Sequence, residues 1–192
     1  MLSTIQAFAE ELAREAGQLI VDKRNAGTID QQYKDQQELV TSADIAADKL
    51  IIERIQTQFP EHRILSEETY TDTSQAKDLS TPIWIIDPID GTVNYAHGHF
   101  MVAVSIAFAT EGEVKVGVVH NPFLNETYSA IQGKPATLNG QTIDVSHQTA
   151  LRKSLIATGF PYDKSTVPEI MRRTEHVLMH CQDIRRLGSA AL

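Results

Sequence analysis

Trp84-Ile85-Ile86 runs directly into Asp87-Pro88-Ile89-Asp90-Gly91-Thr92, so two carboxylates follow a stretch patterned like a buried strand. Pro88 fixes its own φ and biases Asp87 away from helical geometry, while Gly91 permits a turn or a close backbone approach. Both acids can then face one point. Oxygen-rich clusters of this kind suit Mg²⁺, a hard cation that takes one or two carboxylates and fills its remaining positions with water and substrate phosphate. Glu67 and Glu68, at the end of the preceding β segment, offer a third acid. An EF-hand loop is excluded, because its acids alternate whereas Asp87 and Asp90 are three residues apart. The same residue types also build exposed turns, and adjacent glutamates are commonly solvated, so each piece alone leaves a surface role open.

Three other groups invite attention and receive plainer readings. His97-Gly98-His99 lacks neighbouring cysteines and reads as a loop. Cys181 is read as a small buried residue on the flank of a helix, and Lys34 as a solvated residue of a polar loop. A net charge of −8 argues against general nucleic-acid binding, which needs clustered Lys and Arg, and an anionic substrate would need cations supplied locally. A single cysteine excludes an internal disulfide framework and points to a reducing, cytoplasmic compartment. The start of the chain mixes apolar and charged positions, unlike a signal peptide, and no apolar run approaches the roughly 20 residues of a membrane span.

The elements that must position these acids follow from periodicity. With 192 residues and 42% hydrophobic content the chain can bury a core, and residues 1–192 are expected to form a single domain. Ile5, Phe8, Leu12, Ala16 and Leu19 recur at helical spacing from about Ser3 to Lys23. Thr41 and Asp44 form a capping-box pattern ahead of a second helix through Ile55, closed by Pro60. Strands are expected at His62 to Leu65, at Ile83 to Ile86, and at Met101 to Ala109 with both faces buried. Glu111-Gly112 turns into Glu113 to Val119 as a hairpin, and Asn139-Gly140 joins Ala136 to Leu138 with Gln141 to Val145. A strand over Ser154 to Thr158 precedes a helix with a second capping box, Thr166 with Glu169, and a stripe from Ile170 to Leu178. Gly188-Ser189-Ala190-Ala191-Leu192 opens a helix-like run that stops without a cap, as though cut in mid-element.

The stretch from Trp84 to Tyr95 resembles the signature of the inositol monophosphatase family. Leu39-Val40-Thr41-Ser42-Ala43-Asp44, Ser66-Glu67-Glu68-Thr69, the Asn139-Gly140 hairpin and Arg186-Leu187-Gly188-Ser189-Ala190-Ala191 follow in the expected order, and Ala157-Thr158-Gly159-Phe160-Pro161 is similar to the bacterial branch. The resemblance implies an α/β (α+β) layered sugar-phosphatase fold, with alternating helices and a largely antiparallel sheet. It further implies Mg²⁺-dependent hydrolysis of a sugar or polyol phosphate, with inositol 1-phosphate the leading substrate and fructose 1,6-bisphosphate and histidinol phosphate the alternatives. By matching positions, Glu67, Asp87 and the Ile89 carbonyl would hold one Mg²⁺, and Asp87 and Asp90 a second. Thr92, hydrogen-bonded to Asp44, would orient the attacking water, with Glu67 helping to deprotonate it; helix capping explains Asp44 equally well. Ile89, Asp90, Gly91 and Thr92 would contact phosphate, and Arg186, Gly188, Ser189 and Ala190 the polyol.

Members of that family continue past the Gly-Ser-Ala-Ala segment to a Trp-Asp motif whose aspartate completes the second metal site. The sequence is accordingly expected to be an incomplete record of a longer enzyme or a poorly active truncation, its C-terminal α/β part lacking. The family also implies a possible homodimer, and some bacterial relatives imply a competing role: a non-catalytic partner protein that keeps the fold while regulating transcription.

Overall fold

The computed structural model describes residues 1–27, 31–34, 38–69, 78–161 and 163–192, the side chains of residues 31–39 excepted. Helix α1 (Leu2–Asn25) buries Ile5, Ala9, Leu12, Ala16 and Ile20 along one stripe. Strands β1 (Gln31–Lys34) and β2 (Glu38–Thr41) form an antiparallel pair leading into α2 (Ser42–Gln58). The Thr41/Asp44 capping box forms as its spacing predicts: Thr41 accepts from Ala43 N–H, and Asp44 accepts from Thr41 N–H at 2.8 Å. Lys34, assigned by its sequence neighbours to a polar loop, belongs through its backbone to β1; its side chain lies outside the described residues.

A seven-stranded sheet carries the core, in the order of β3 (Arg63–Ser66), β4 (Ile83–Asp90), β5 (Ala103–Thr110), β6 (Glu113–Asn121), β7 (Glu126–Ile131), β8 (Thr137–Leu138) and β9 (Gln141–Thr142). Only β3 and β4 pair in parallel; every other neighbouring pair in that sheet is antiparallel. Helices α1 and α2 pack on one face, where Trp84, Ile86, Val104, Ile106, Phe108, Val116 and Val118 close the core against them. Both hairpin turns have the two positive φ angles of a type I′ geometry, 57° and 80° at Glu111-Gly112 and 50° and 79° at Asn139-Gly140.

Several expectations need correction. β4 extends four residues further than the apolar run Ile83 to Ile86 and contains both Asp87 and Asp90, with a register shift between them. On β5 only one face is uniformly buried, since Ser105 and Ala107 are half-exposed. The second capping box is not made. Thr166 has helical backbone angles and its hydroxyl donates to the Asp163 carbonyl, while Glu169 pairs with Arg172 and Arg173. The helix that follows, α4 (Val167–Leu178), has no fully buried residue. Cys181 lies just after α4, half-buried, instead of on its flank. β10 (Leu155–Ala157) and β11 (Asp183–Arg185) pair in parallel beside α4 and return the chain to the end of β4. No helix among the described residues is long and apolar enough to cross a membrane.

Candidate active site

The end of β4 is held from behind. Short helix α3 (Thr92–Ala96) follows Gly91, whose φ of 96° is open to glycine; an added Cβ would stand 3.0 Å from the Met101 carbonyl. Tyr95, fully buried, donates its hydroxyl to the Ile20 carbonyl at 2.7 Å, and Arg24 stacks on Tyr95 and Phe123 while donating to the Tyr95 and His99 carbonyls. The C-terminal end of α1 thereby fixes the segment immediately after the acids. His97 and His99 lie in the loop that follows, as expected.

In front of β4 is a cleft of about 540 Å³. Glu67, Asp87, Asp90, Gly91, Thr92, Arg186, Gly188, Ser189 and Ala190 all line it, so residues from three separate stretches meet there. The side chain of Ile89 is buried in the core at 1% exposure, which leaves its backbone as the part facing the site. Asp87 accepts from the Ile89 N–H at 3.1 Å. Burial, followed by the charges of Glu67 and Asp90 and a hydrogen bond with Glu67, pushes the Asp87 carboxyl up to about 9. A group so placed holds a proton at neutral pH unless a cation takes its place.

Asp90 is differently engaged. Its Oδ2 accepts from the Ser189 hydroxyl and the Ala191 N–H (2.7 Å), and its Oδ1 accepts from the Ala190 N–H (2.9 Å). A carboxylate offers about four lone-pair sites, so these donors leave one on Oδ1. The Gly188–Leu192 stretch is therefore gathered on Asp90 and closes no helical turn among the described residues, contrary to its helix-like sequence. With Asp87 turned to Glu67 and Asp90 turned to Ser189, no group of three or more His, Cys, Asp or Glu among the described residues stands as a finished metal cage. The acids share a cleft, and their oxygen-only chemistry fits a hard divalent cation that retains waters.

Thr92 links this cleft to α2. Its hydroxyl lies 3.1 Å from Asp44 Oδ1 and 3.0 Å from the Ile89 carbonyl, two acceptors for its one proton. Asp44 is buried at 1% exposure; burial raises its pKa, opposed by hydrogen bonds from Thr41 and Thr92. The capping role and the contact with Thr92 coexist on different oxygens.

Gly188 has a φ of 94°, and a Cβ there would fall within 2.7 Å of both Asn94 side-chain ends and of Arg186. Asn94 donates to the Met101 and Leu187 carbonyls, at 2.8 and 2.7 Å, and so ties α3 to the Arg186–Ala190 wall. The sequence reading used Ala157-Thr158-Gly159-Phe160 only as a family marker, yet these residues form another wall of the cleft. Uncharged residues of these types carry no chemical signal that singles them out. It also passed over Asp48, buried on α2 one turn beyond Asp44; the four-residue spacing on one helix face was the available sign.

A mixed fold with an acid-lined cleft at the end of β4, one strand in from the edge of the sheet, is the frame in which the likeness to known proteins is read. The family model described as the inositol monophosphatase family matches residues 1–192, and the chain belongs to that family. Inositol monophosphatase 1 of Solanum lycopersicum is 39% identical over 100% of this chain and 70% of its own length. The Nus factor SuhB of Pasteurella multocida is 34% identical, covering 96% of this chain and 69% of the relative. Among solved structures, the extragenic suppressor protein suhB of Bartonella henselae superposes with a TM-score of 0.89 at 30% identity, over 98% of this chain and 72% of that one. A staphylococcal relative, SaIMPase-II bound to inositol monophosphate, gives 0.75 at 27% identity, over 97% and 66%.

Proposed function

We propose that this protein is a Mg²⁺-dependent phosphatase that hydrolyses a sugar or polyol phosphate monoester, most readily inositol 1-phosphate. The observation that carries the reading is the meeting of Glu67, Asp87 and Asp90 in one cleft with Thr92 and Arg186 on its walls. Family membership and a relative crystallised with inositol monophosphate support it. In this reading Glu67, Asp87 and the Ile89 carbonyl would hold one Mg²⁺, and Asp87 and Asp90 would serve a second. The strongly raised Asp87 pKa fits that assignment, because crowded, part-buried carboxyls are relieved by positive charge. When bound, the cations neutralise phosphate charge and make water acidic enough to serve as a nucleophile near neutral pH.

The chain's own residues supply alignment and proton handling. The Thr92 hydroxyl, within reach of Asp44 Oδ1, donates its proton there and presents its lone pairs to a water in the cleft. Glu67, in the cleft, is placed to take the proton that this water gives up as it attacks phosphorus, while the ester P–O bond breaks and the polyol oxygen leaves, taking a proton from solvent. Arg186 offers a guanidinium to the anionic substrate at the same opening, and Gly91 and Thr92 offer backbone N–H groups. Ser189 and Ala190 act on the polyol side together with Gly188 through oxygens that can accept from substrate hydroxyls, while the Ser189 O–H and Ala190 N–H stay on Asp90. The proposal includes residues 1–192 as one domain, a cytoplasmic location and a homodimer.

The test is phosphate release from inositol 1-phosphate. Release that requires Mg²⁺ and disappears in Asp90→Asn supports the reading; release that persists in EDTA, or survives Asp90→Asn, overturns it. The Nus factor relatives favour a second reading, a non-catalytic partner in transcription. Stable capture of a transcription factor, unaffected by Asp90→Asn and unaccompanied by phosphatase activity, would support that alternative.

A further inference from the structure

Two aspartates lie one turn apart on α2, and each holds hydroxyls of a different segment beside the cleft. Asp44 meets Thr92; Asp48, one turn on, is 4% exposed and accepts two hydroxyl hydrogen bonds, from Ser66 on Oδ1 and from Thr69 on Oδ2. Ser66 is the last residue of β3 and is itself 1% exposed, and Thr69 closes the turn that follows. Glu67 lies between these two anchors. Its N–H donates to the Ile86 carbonyl at 3.1 Å, extending the β3–β4 pairing beyond the last strand residue and up to the acids. The Glu67 backbone is therefore held on one side by the sheet and on the other by Asp48.

We propose that Asp48 is a positioning residue for Glu67: its carboxyl clamps Ser66 and Thr69 so that the Glu67 carboxylate is aimed at Asp87 before a cation arrives. The proposal rests on the cation-site reading above and deepens it. Two features argue for aiming over simple burial. A buried carboxyl needs hydrogen-bond partners, and the two given for it among the described residues bracket Glu67 and Glu68, of which Glu67 lines the cleft. Glu67 is also an exposed residue on a turn whose carboxyl meets Asp87, and preorganisation of a ligand comes from the groups that fix its backbone. Asp44 and Asp48 together make α2 the common base from which Thr92 and Glu67 are set.

Mn²⁺ binding, followed by the electron paramagnetic resonance of the free ion, tests this without relying on turnover. Outer partners of metal ligands typically change affinity by about 10- to 100-fold, and Asp48→Ala is expected to weaken Mn²⁺ binding within that range. The same substitution made in Glu67→Gln should add little, because the two residues act through one carboxylate. Asp48→Asn retains an acceptor for Ser66 and an amide for the Thr69 oxygen, and should recover most of the loss. Ser66→Ala with Thr69→Ala, which keeps Asp48, should reproduce it. Full additivity of Asp48→Ala and Glu67→Gln overturns the proposal, as does equal loss in Asp48→Asn and Asp48→Ala with none in the hydroxyl pair, the signature of charge alone. A lowered melting temperature with unchanged Mn²⁺ affinity overturns it as well. Asp87→Asn serves as the control: if it binds Mn²⁺ as wild type does, the cation site itself fails, whereas its weakening beside an unaffected Asp48→Ala removes the positioning role alone.

Discussion

Replacing Asp87 by asparagine separates what the carboxyl costs the fold from what it gives the site. The amide keeps an oxygen for the Ile89 N–H and puts a donor where the proton shared with Glu67 now sits, so packing and hydrogen bonding are preserved. What changes is titration. A carboxyl raised to about 9 in the folded state, against 3.8 for the free side chain, leaves the native protein holding a proton that the unfolded chain has lost. Stability therefore falls as pH rises through that window, by up to about 1.4 kcal/mol per pH unit. Between pH 7 and pH 9 the wild type without divalent cations should lose up to about 3 kcal/mol that Asp87→Asn keeps. For a chain of this size each kcal/mol moves the melting temperature by about 2–4 °C. Saturating Mg²⁺ should reverse the wild-type loss, with about 2.7 kcal/mol regained at a hundredfold excess over Kd, and should leave the variant unmoved. Scanning calorimetry of both proteins at pH 7 and pH 9, in EDTA and in Mg²⁺, reads all eight melting temperatures. If Asp87→Asn melts well below wild type in EDTA and keeps its Mg²⁺ gain, the carboxyl is a structural group and the reasoning fails.

Two further substitutions probe the walls of the cleft. Thr92→Ala should lower the rate of phosphate release by about 10²-fold or more while leaving Mg²⁺ affinity nearly unchanged, and steady-state kinetics with a parallel calorimetric titration would expose a shared loss. Gly188→Ala forces a Cβ into Asn94 and Arg186 at a φ of 94°, so it should destabilise by about 1–3 kcal/mol, read in urea melts, and raise KM by loosening the Arg186–Ala190 wall.

Much of this arrangement was legible before any coordinates. The capping box at Thr41 and Asp44 and the two hairpin dipeptides are local chemistry, each decided within four residues, and each forms as expected. The cleft was legible only in part. Asp87, Asp90 and Glu67 carry a chemical signal in their side chains and line one cleft; Ala157 to Phe160, on its other wall, carry none. β7 and the β1–β2 pair also went unread: β1 and β2 are four residues each, and β7 puts the polar Thr127 and Ser129 on its buried face. At Thr166 the pattern of a capping box was present, yet a 3₁₀ turn over Lys164–Thr166, capped by Asp163, took over the helix start and freed Glu169 for two arginines. The Gly188–Leu192 run shows the same limit from the other side: its helix propensity is local, and the buried carboxyl that claims its N–H groups comes from about a hundred residues away. Pattern reading recovers what neighbouring residues settle among themselves and loses what a distant partner overrides.

The claim beneath all of this is that Glu67 and Asp87 converge on a divalent cation. Anomalous diffraction from crystals grown with Mn²⁺ tests it in one measurement. A peak at about 2.1 Å from a carboxylate oxygen of each residue and from the Ile89 carbonyl is the expected result. Mn²⁺ located elsewhere, with Asp87 still bonded to Glu67, would contradict it.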